Sequence, residues 1–126
     1  MEINAITLGV SEMRRSLDFY ADALELPVVF GGPDSTFTSL QFGTNFVNLF
    51  AHEEPIAFWG RVIVHVDDPD HVHATLAAAV VDGRLPGVCE PHALPQNALW
   101  GERYFHVNDP DGHEVSFARP LRPEET

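Results

Sequence analysis

The sequence predicts an α+β fold made of two βαβββ modules. Three observations carry that reading. A short alternating strand near the N-terminus leads into a helical stripe, turn-separated strands follow, and the same succession begins again near Arg61. Neither half can bury its apolar face alone, so the two are expected to pack as a single domain over residues 1–126, with module one about 1–52 and module two about 58–120.

Each element has a local cause. Ile3 to Val10 alternates as a half-buried strand, and Ser11 stands where a helix N-cap would, with the helix starting near Glu12. Met13, Leu17, Tyr20 and Leu24 recur at three- and four-residue intervals, Phe19 and Ala23 widen the stripe, and Pro27 blocks continuation. Val28 to Phe30, Thr36 to Phe42 and Phe46 to Phe50 then read as a meander, separated by Gly31-Gly32-Pro33-Asp34 and Gly43-Thr44-Asn45. His52-Glu53-Glu54-Pro55 lacks periodicity and reads as a connector.

The second succession opens with a strand from Arg61 to Val66. Asp67-Asp68-Pro69-Asp70 supplies helix-start chemistry, and Val72, Leu76, Ala79 and Val80 form the next stripe. Gly83 to Pro95 is rich in glycine and proline, with a short strand expected around Val88. Arg103 to Val107 and Glu114 to Ala118 bracket the turn Asn108-Asp109-Pro110-Asp111-Gly112, and the tail from Pro120 is expected to fray.

Charge and composition narrow the function classes. Seven basic against nineteen acidic residues give a formal charge of −12, which repels phosphate backbones and anionic lipid and draws cations. Nucleic acid is therefore not an expected partner. Neither a membrane span nor a secretion signal is present in the pattern, so the expected location is cytoplasmic. The lone Cys89 has no basic neighbour to activate it and reads as a bystander. There is no glycine-rich phosphate loop at a strand-to-helix junction.

Two stretches carry a family resemblance. Val10-Ser11-Glu12-Met13-Arg14-Arg15-Ser16-Leu17-Asp18-Phe19-Tyr20 resembles the first strand-to-helix junction of glyoxalase I and bleomycin-resistance proteins. Trp100-Gly101-Glu102-Arg103-Tyr104-Phe105-His106-Val107-Asn108-Asp109-Pro110-Asp111-Gly112-His113 resembles the Trp-Gly, Arg, Asp-Pro-Asp-Gly signature that precedes the last strand of the same vicinal oxygen chelate superfamily. The resemblance spans Ile3 to Ala118. It implies curved mixed sheets around a ligand cavity and, from the antibiotic-binding members, a homodimer.

Enzymes of that superfamily hold a divalent metal with four ligands, typically His or Glu, from the first and last strand of each module. The resemblance places those positions at Ala5, Asn48, Arg61 and Ser116. Alanine has no donor atom, neutral asparagine and serine bind metals weakly, and a guanidinium repels a dication. No cofactor and no metal is therefore expected.

The ligand-binding set expected from these positions is Asn48, Arg61, His65, Trp100, Glu114 and Ser116. His65 shares a strand face with Arg61, and Glu114 shares one with Ser116, so a displaced metal site or an acid–base pair at His65 and Glu114 stays open beside the reading of His65 as a satisfied histidine. Trp59, Trp100, Phe37, Phe46 and Phe50 could line a site for a flat or cationic ligand. Core packing is favoured for the phenylalanines and a site wall for Trp100. Arg61 needs a carboxylate or a ligand anion if it points inward. His71 and His73 are assigned to the surface, His106 and His113 to no role, and Asp109-Pro110-Asp111-Gly112 to a tight turn rather than a calcium loop.

Three functions compete. One is a dimeric protein that sequesters a cationic or aromatic antibiotic-like small molecule. Another is a lyase, isomerase or dioxygenase of the same fold, with a displaced metal or none. The last is a regulatory module whose surface does the work.

Overall fold

The computed structural model describes residues 2–54 and 60–126, so Pro55 and Trp59 lie outside the described residues. The chain divides into two compact units, Met1–Ala57 and Phe58–Thr126. Each contains a four-stranded mixed sheet in the βαβββ order.

In the first unit β1 (Ala5–Val10) leads to α1 (Met13–Leu17), followed by β2 (Val28–Phe30), β3 (Phe37–Phe42) and β4 (Asn45–Ala51). The strands lie in the order β1-β4-β3-β2, with β1 parallel to β4 and the other pairs antiparallel. Alternation sends Leu8, Val10, Leu40, Val47 and Leu49 into the core, where Met13, Leu17, Phe19 and Tyr20 are also buried. Gly31 is required where β2 turns toward β3. Its φ is 80, and a Cβ there would lie 2.1 Å from the Phe37 carbonyl oxygen.

The first helix departs from the expected one in two ways. Ser11 is not its N-cap: Glu12 holds that position without a side-chain cap bond, and the Ser11 hydroxyl accepts from Arg15 Nη2 at 2.9 Å. The chain enters the helix one residue later than the serine would place it. Beyond Leu17 the helix widens into a π-helical segment, Asp18–Ala23, in which Leu24 N–H reaches back five residues to the Phe19 carbonyl. Phe19 and Tyr20 are adjacent in sequence, yet both are buried, their rings edge to face at 4.8 Å. Glu25 then leaves the helix at φ 57, ahead of Pro27.

In the second unit β5 (Arg61–His65) leads to α2 (Pro69–Val81), then β6 (Gln96–Asn97), β7 (Glu102–Asn108) and β8 (Glu114–Pro120), in the order β5-β8-β7-β6. Asp68 caps α2 by accepting from His71 N–H at 3.1 Å, and Pro69 fits the first turn because its missing N–H would have no partner there. Leu76 and Ala79 are buried on the side of α2 that meets β7 and β8. Beneath them Phe105 stacks on Phe117 at 5.4 Å.

Three expectations for this unit fail. Around Val88 there is no strand but a 3-10 turn, Gly87–Cys89, because Pro86 and Gly87 favour a turn; the fourth strand is instead the short β6. His73 is not a surface residue: its ring stands edge-on to Phe105 at 5.2 Å. The C-terminal tail is not frayed, since Pro123–Glu125 forms a 3-10 turn and Glu125 accepts both Arg119 Nη1 and Nη2, at 2.7 and 3.0 Å. That paired guanidinium and a further bond from Arg122 N–H hold the Glu125 carboxyl down at about 2.

Candidate functional site

The face of the second sheet turned away from α2 collects most of the chemistry. Side chains alternate along a strand, so the residues facing α2 fix which ones face away. Register then sets the rungs: Arg61 lies opposite Glu114, Ile63 opposite Ser116, and His65 opposite Ala118. On the other side of β8, Asn108 pairs with Glu114, His106 with Ser116, and Tyr104 with Ala118.

At one end of this face Arg61 Nε donates to Glu114 Oε2 at 3.0 Å. Arg61 Nη1 meets His106 Nε2 at 3.4 Å, and His106 Nδ1 is bonded to Ser116 Oγ. The His106 pKa is lowered by burial first and then by the Arg61 charge, with Glu114 opposing, so the ring is neutral at pH 7. A guanidinium only donates, which makes Nε2 the acceptor and leaves the proton on Nδ1, pointed at Ser116. In that tautomer His106 cannot take a proton from Ser116. The pair is a structural contact and not an activated nucleophile.

At the other end Glu102 is shared. Its Oε1 accepts from Trp100 Nε1 at 3.0 Å, and its Oε2 lies 3.0 Å from His65 Nε2. Between the two ends runs a row of rings, Trp100 to Tyr104 at 5.1 Å, Tyr104 to His106 at 5.0 Å and His106 to His92 at 6.4 Å. His92 Nδ1 also comes within 4.0 Å of Glu114 Oε1. The result is an aromatic shelf with a carboxylate at each end.

Of the six ligand positions read from the sequence, Arg61, His65, Trp100, Glu114 and Ser116 belong to this unit. Arg61, Glu114 and Ser116 meet around His106, whereas His65 and Trp100 meet at Glu102. His65 and Glu114 do not form a pair, because His65 lies four residues beyond the Arg61–Glu114 rung, roughly 13 Å along the strand. Register therefore does not bring His65 and Glu114 together as the acid–base pair or displaced metal site that the sequence left open; His65 instead meets Glu102. Glu102, Tyr104, His92 and His106 are the residues that sequence reasoning missed. For three of them the signal was available: Glu102, Tyr104 and His106 alternate along β7.

Asn48 belongs to the first unit. On the face turned away from α1 it lies between Thr7 and Ser39, and its Nδ2 donates to Thr7 Oγ1 at 3.4 Å. Phe37, Phe46 and Phe50 share that face, with Phe50 47% exposed and Phe37 6.2 Å from the Phe30 ring. They do not pack in the helix-covered core that the sequence reading favoured, since strand alternation gives that side to Leu40, Val47 and Leu49.

Of the positions that the resemblance assigns to metal ligands, two carry side chains that do not suit a metal. Ala5 offers no donor, and Arg61 brings a cation that already engages Glu114. Among the described residues no group of three or more His, Cys, Asp and Glu side chains could hold a metal ion, and no helix is long and apolar enough to cross a membrane.

Two βαβββ units, each a mixed sheet with one helix-free face, define the vicinal oxygen chelate architecture. The profile described as Glyoxalase/Bleomycin resistance protein/Dioxygenase superfamily matches residues 2–117, and the chain belongs to that superfamily. Among solved structures it is similar to TioX from Micromonospora sp. ML1, at 23% identity over 96% of this chain and 100% of that one, with a TM-score of 0.73. A bleomycin-binding protein complexed with bleomycin is 23% identical over 96% of this chain and 99% of the other, TM-score 0.71. The bleomycin resistance determinant encoded on the transposon Tn5 is 22% identical over 97% and 100%, TM-score 0.72. The search of curated proteins gives no match.

Proposed function

We propose that the chain is a metal-free small-molecule-binding protein that sequesters a cationic or aromatic antibiotic-like ligand. The observation that carries this reading is the shelf of Trp100, Tyr104, His106 and His92 with Glu102 and Glu114 at its ends. Flat rings bind planar and cationic groups through dispersion and the ring quadrupole, and carboxylates add charge complementarity. A structural neighbour is a bleomycin-binding protein with bleomycin bound, which supports a ligand of that kind. Arg61, Glu114, Ser116 and His65 frame the shelf. In this reading the two modules act as one ligand-binding domain, the protein works as a cytoplasmic homodimer, and it binds neither nucleic acid nor membrane.

A lyase, isomerase or dioxygenase on this fold would need either a metal or an acid–base pair. His65 and Glu114 lie on different rungs, and a His106 ring that accepts from Arg61 at Nε2 would donate to Ser116 rather than activate it, which supports binding over catalysis. The deciding experiment is elemental analysis after exposure to zinc, nickel, iron and manganese, followed by calorimetric titration with metal-free bleomycin. Sequestration predicts no stoichiometric metal, saturable binding, and affinity at least roughly tenfold weaker in Trp100→Ala. One tightly held metal per chain, or no binding of bleomycin, overturns it.

A further inference from the structure

The two carboxylates of the shelf are not equivalent. Glu114 is neutralised by a permanent cation, the Arg61 guanidinium at 3.0 Å. Among the described residues Glu102 meets an indole N–H and His65, whose side chain is 62% exposed. Within this unit Arg84, Arg103 and Arg119 face Asp82, Asp70 and Glu125. Trp100 is 65% exposed, and its ring stands beside both Glu102 and Tyr104.

From this asymmetry we infer that the Glu102 end of the shelf is a subsite for an organic cation, an alkylammonium or protonated amine, which lies against the Trp100 ring and displaces His65 from Glu102 Oε2. Physical chemistry favours that class. A cation within about 6 Å of an indole centroid is attracted by the ring's negative face, and a soft, weakly hydrated ammonium gains most. Glu102 is part-buried, with 26% of its side chain exposed, so its charge is screened less than a surface carboxylate's. The Trp100 N–H holds Oε1 in place, which leaves Oε2 to the ligand once His65 turns away. The Arg61 end has the opposite character. Its Glu114 is already paired, so an incoming cation there would have to break an ion pair. A bound ligand is thereby given a direction along the sheet, with its cationic group at Glu102.

This subsite rests on the small-molecule-binding reading but can be tested apart from bleomycin. The probe is choline, compared with its neutral isostere 3,3-dimethylbutan-1-ol, and titrated into the full chain while the Trp100 indole N–H resonance is followed by NMR. The expected result is a saturable shift with choline and binding at least roughly tenfold weaker for the isostere. Glu102→Gln should weaken choline roughly tenfold, while the control Asp82→Asn, an exposed carboxylate at the end of α2 and away from the shelf, stays within about twofold. Dispersed amide spectra of both variants show that they remain folded. Equal binding of the two probes, equal effects of the two variants, or no choline binding overturns the subsite. Choline binding without bleomycin binding upholds the subsite and defeats antibiotic sequestration; bleomycin binding without choline binding does the reverse.

Discussion

Asp109 holds the turn that sets the register of the shelf, and removing its carboxylate should cost more stability than any surface change. The side chain is fully buried, and Oδ1 accepts from Asp111 N–H and His113 N–H, both at 2.9 Å. Hydrogen bonds to a charged acceptor contribute about 1.5–3 kcal/mol each, and unpaired buried N–H groups add a desolvation cost. Two such bonds give about 3–6 kcal/mol for Asp109→Ala. Asp109→Asn keeps an acceptor oxygen and loses only the charge assistance, about 1–2 kcal/mol. At a urea slope of about 2 kcal/mol per M, the alanine variant should unfold at roughly 1.5–3 M less urea than wild type, and the asparagine variant at roughly 0.5–1 M less. Alanine and asparagine variants within about 0.5 kcal/mol of each other would sink the account. So would calcium that stabilises the wild type and not Asp109→Ala, since the loop would then be a cation site rather than a turn.

Two further outcomes follow from the titrating groups. His106 has a folded pKa below 6.5 because burial and then Arg61 disfavour its cation, so its contribution to stability is full above pH 6.5 and is lost as pH falls through the folded value. Arg61→Gln removes the cation and leaves Glu114 unopposed; the His106 Cε1–H titration followed by NMR should move upward, and an unchanged or lower midpoint refutes the contact. Glu125 is depressed from 4.5 to about 2, so the Arg119 clamp contributes above the higher value and is lost as pH falls through the lower one. Amide exchange in the last six residues should therefore be slow at pH 5 relative to Glu125→Gln and should converge with it near pH 2, whereas equal exchange at pH 5 means that the clamp does not order the tail.

Most of the architecture was legible because it rests on period and punctuation. Alternation fixed which of Arg61, Val62, Ile63, Val64 and His65 share a face, and Asp68-Pro69 announced α2 through chemistry that is local in sequence. What escaped depends on partners far apart in the chain. The Arg119–Glu125 clamp follows a Pro-rich tail that reads as unstructured, and the π-helical turn at Asp18–Ala23 uses the same apolar residues as an ordinary helix. The site divides in the same way. Arg61 and Glu114 were both found by position, but the partner of His65 is Glu102, 37 residues away, and only strand register brings them together. His106 was passed over for want of a nearby carboxylate in sequence, although its neighbours Arg61 and Ser116 arrive from two other strands.

Register also explains why a single residue type at Arg61 redirects the whole face. A histidine or carboxylate on that rung would join Glu114 as a second donor for a dication, whereas arginine turns Glu114 into half of an ion pair and fixes the neutral tautomer of His106. Ser116, beneath that ring, is then buried and bonded rather than available. With that end of the sheet satisfied internally, the charge left for a ligand is at Glu102, two positions along the strand from Tyr104 and beside the indole of Trp100. Arg61→His is the substitution that separates the two designs. It should release Glu114, free His106 Nε2 from its donor, and raise zinc affinity at this rung while leaving choline binding at Glu102 within about twofold. Zinc binding that stays as weak as in the wild type would mean that the sheet geometry, and not the guanidinium, excludes the metal.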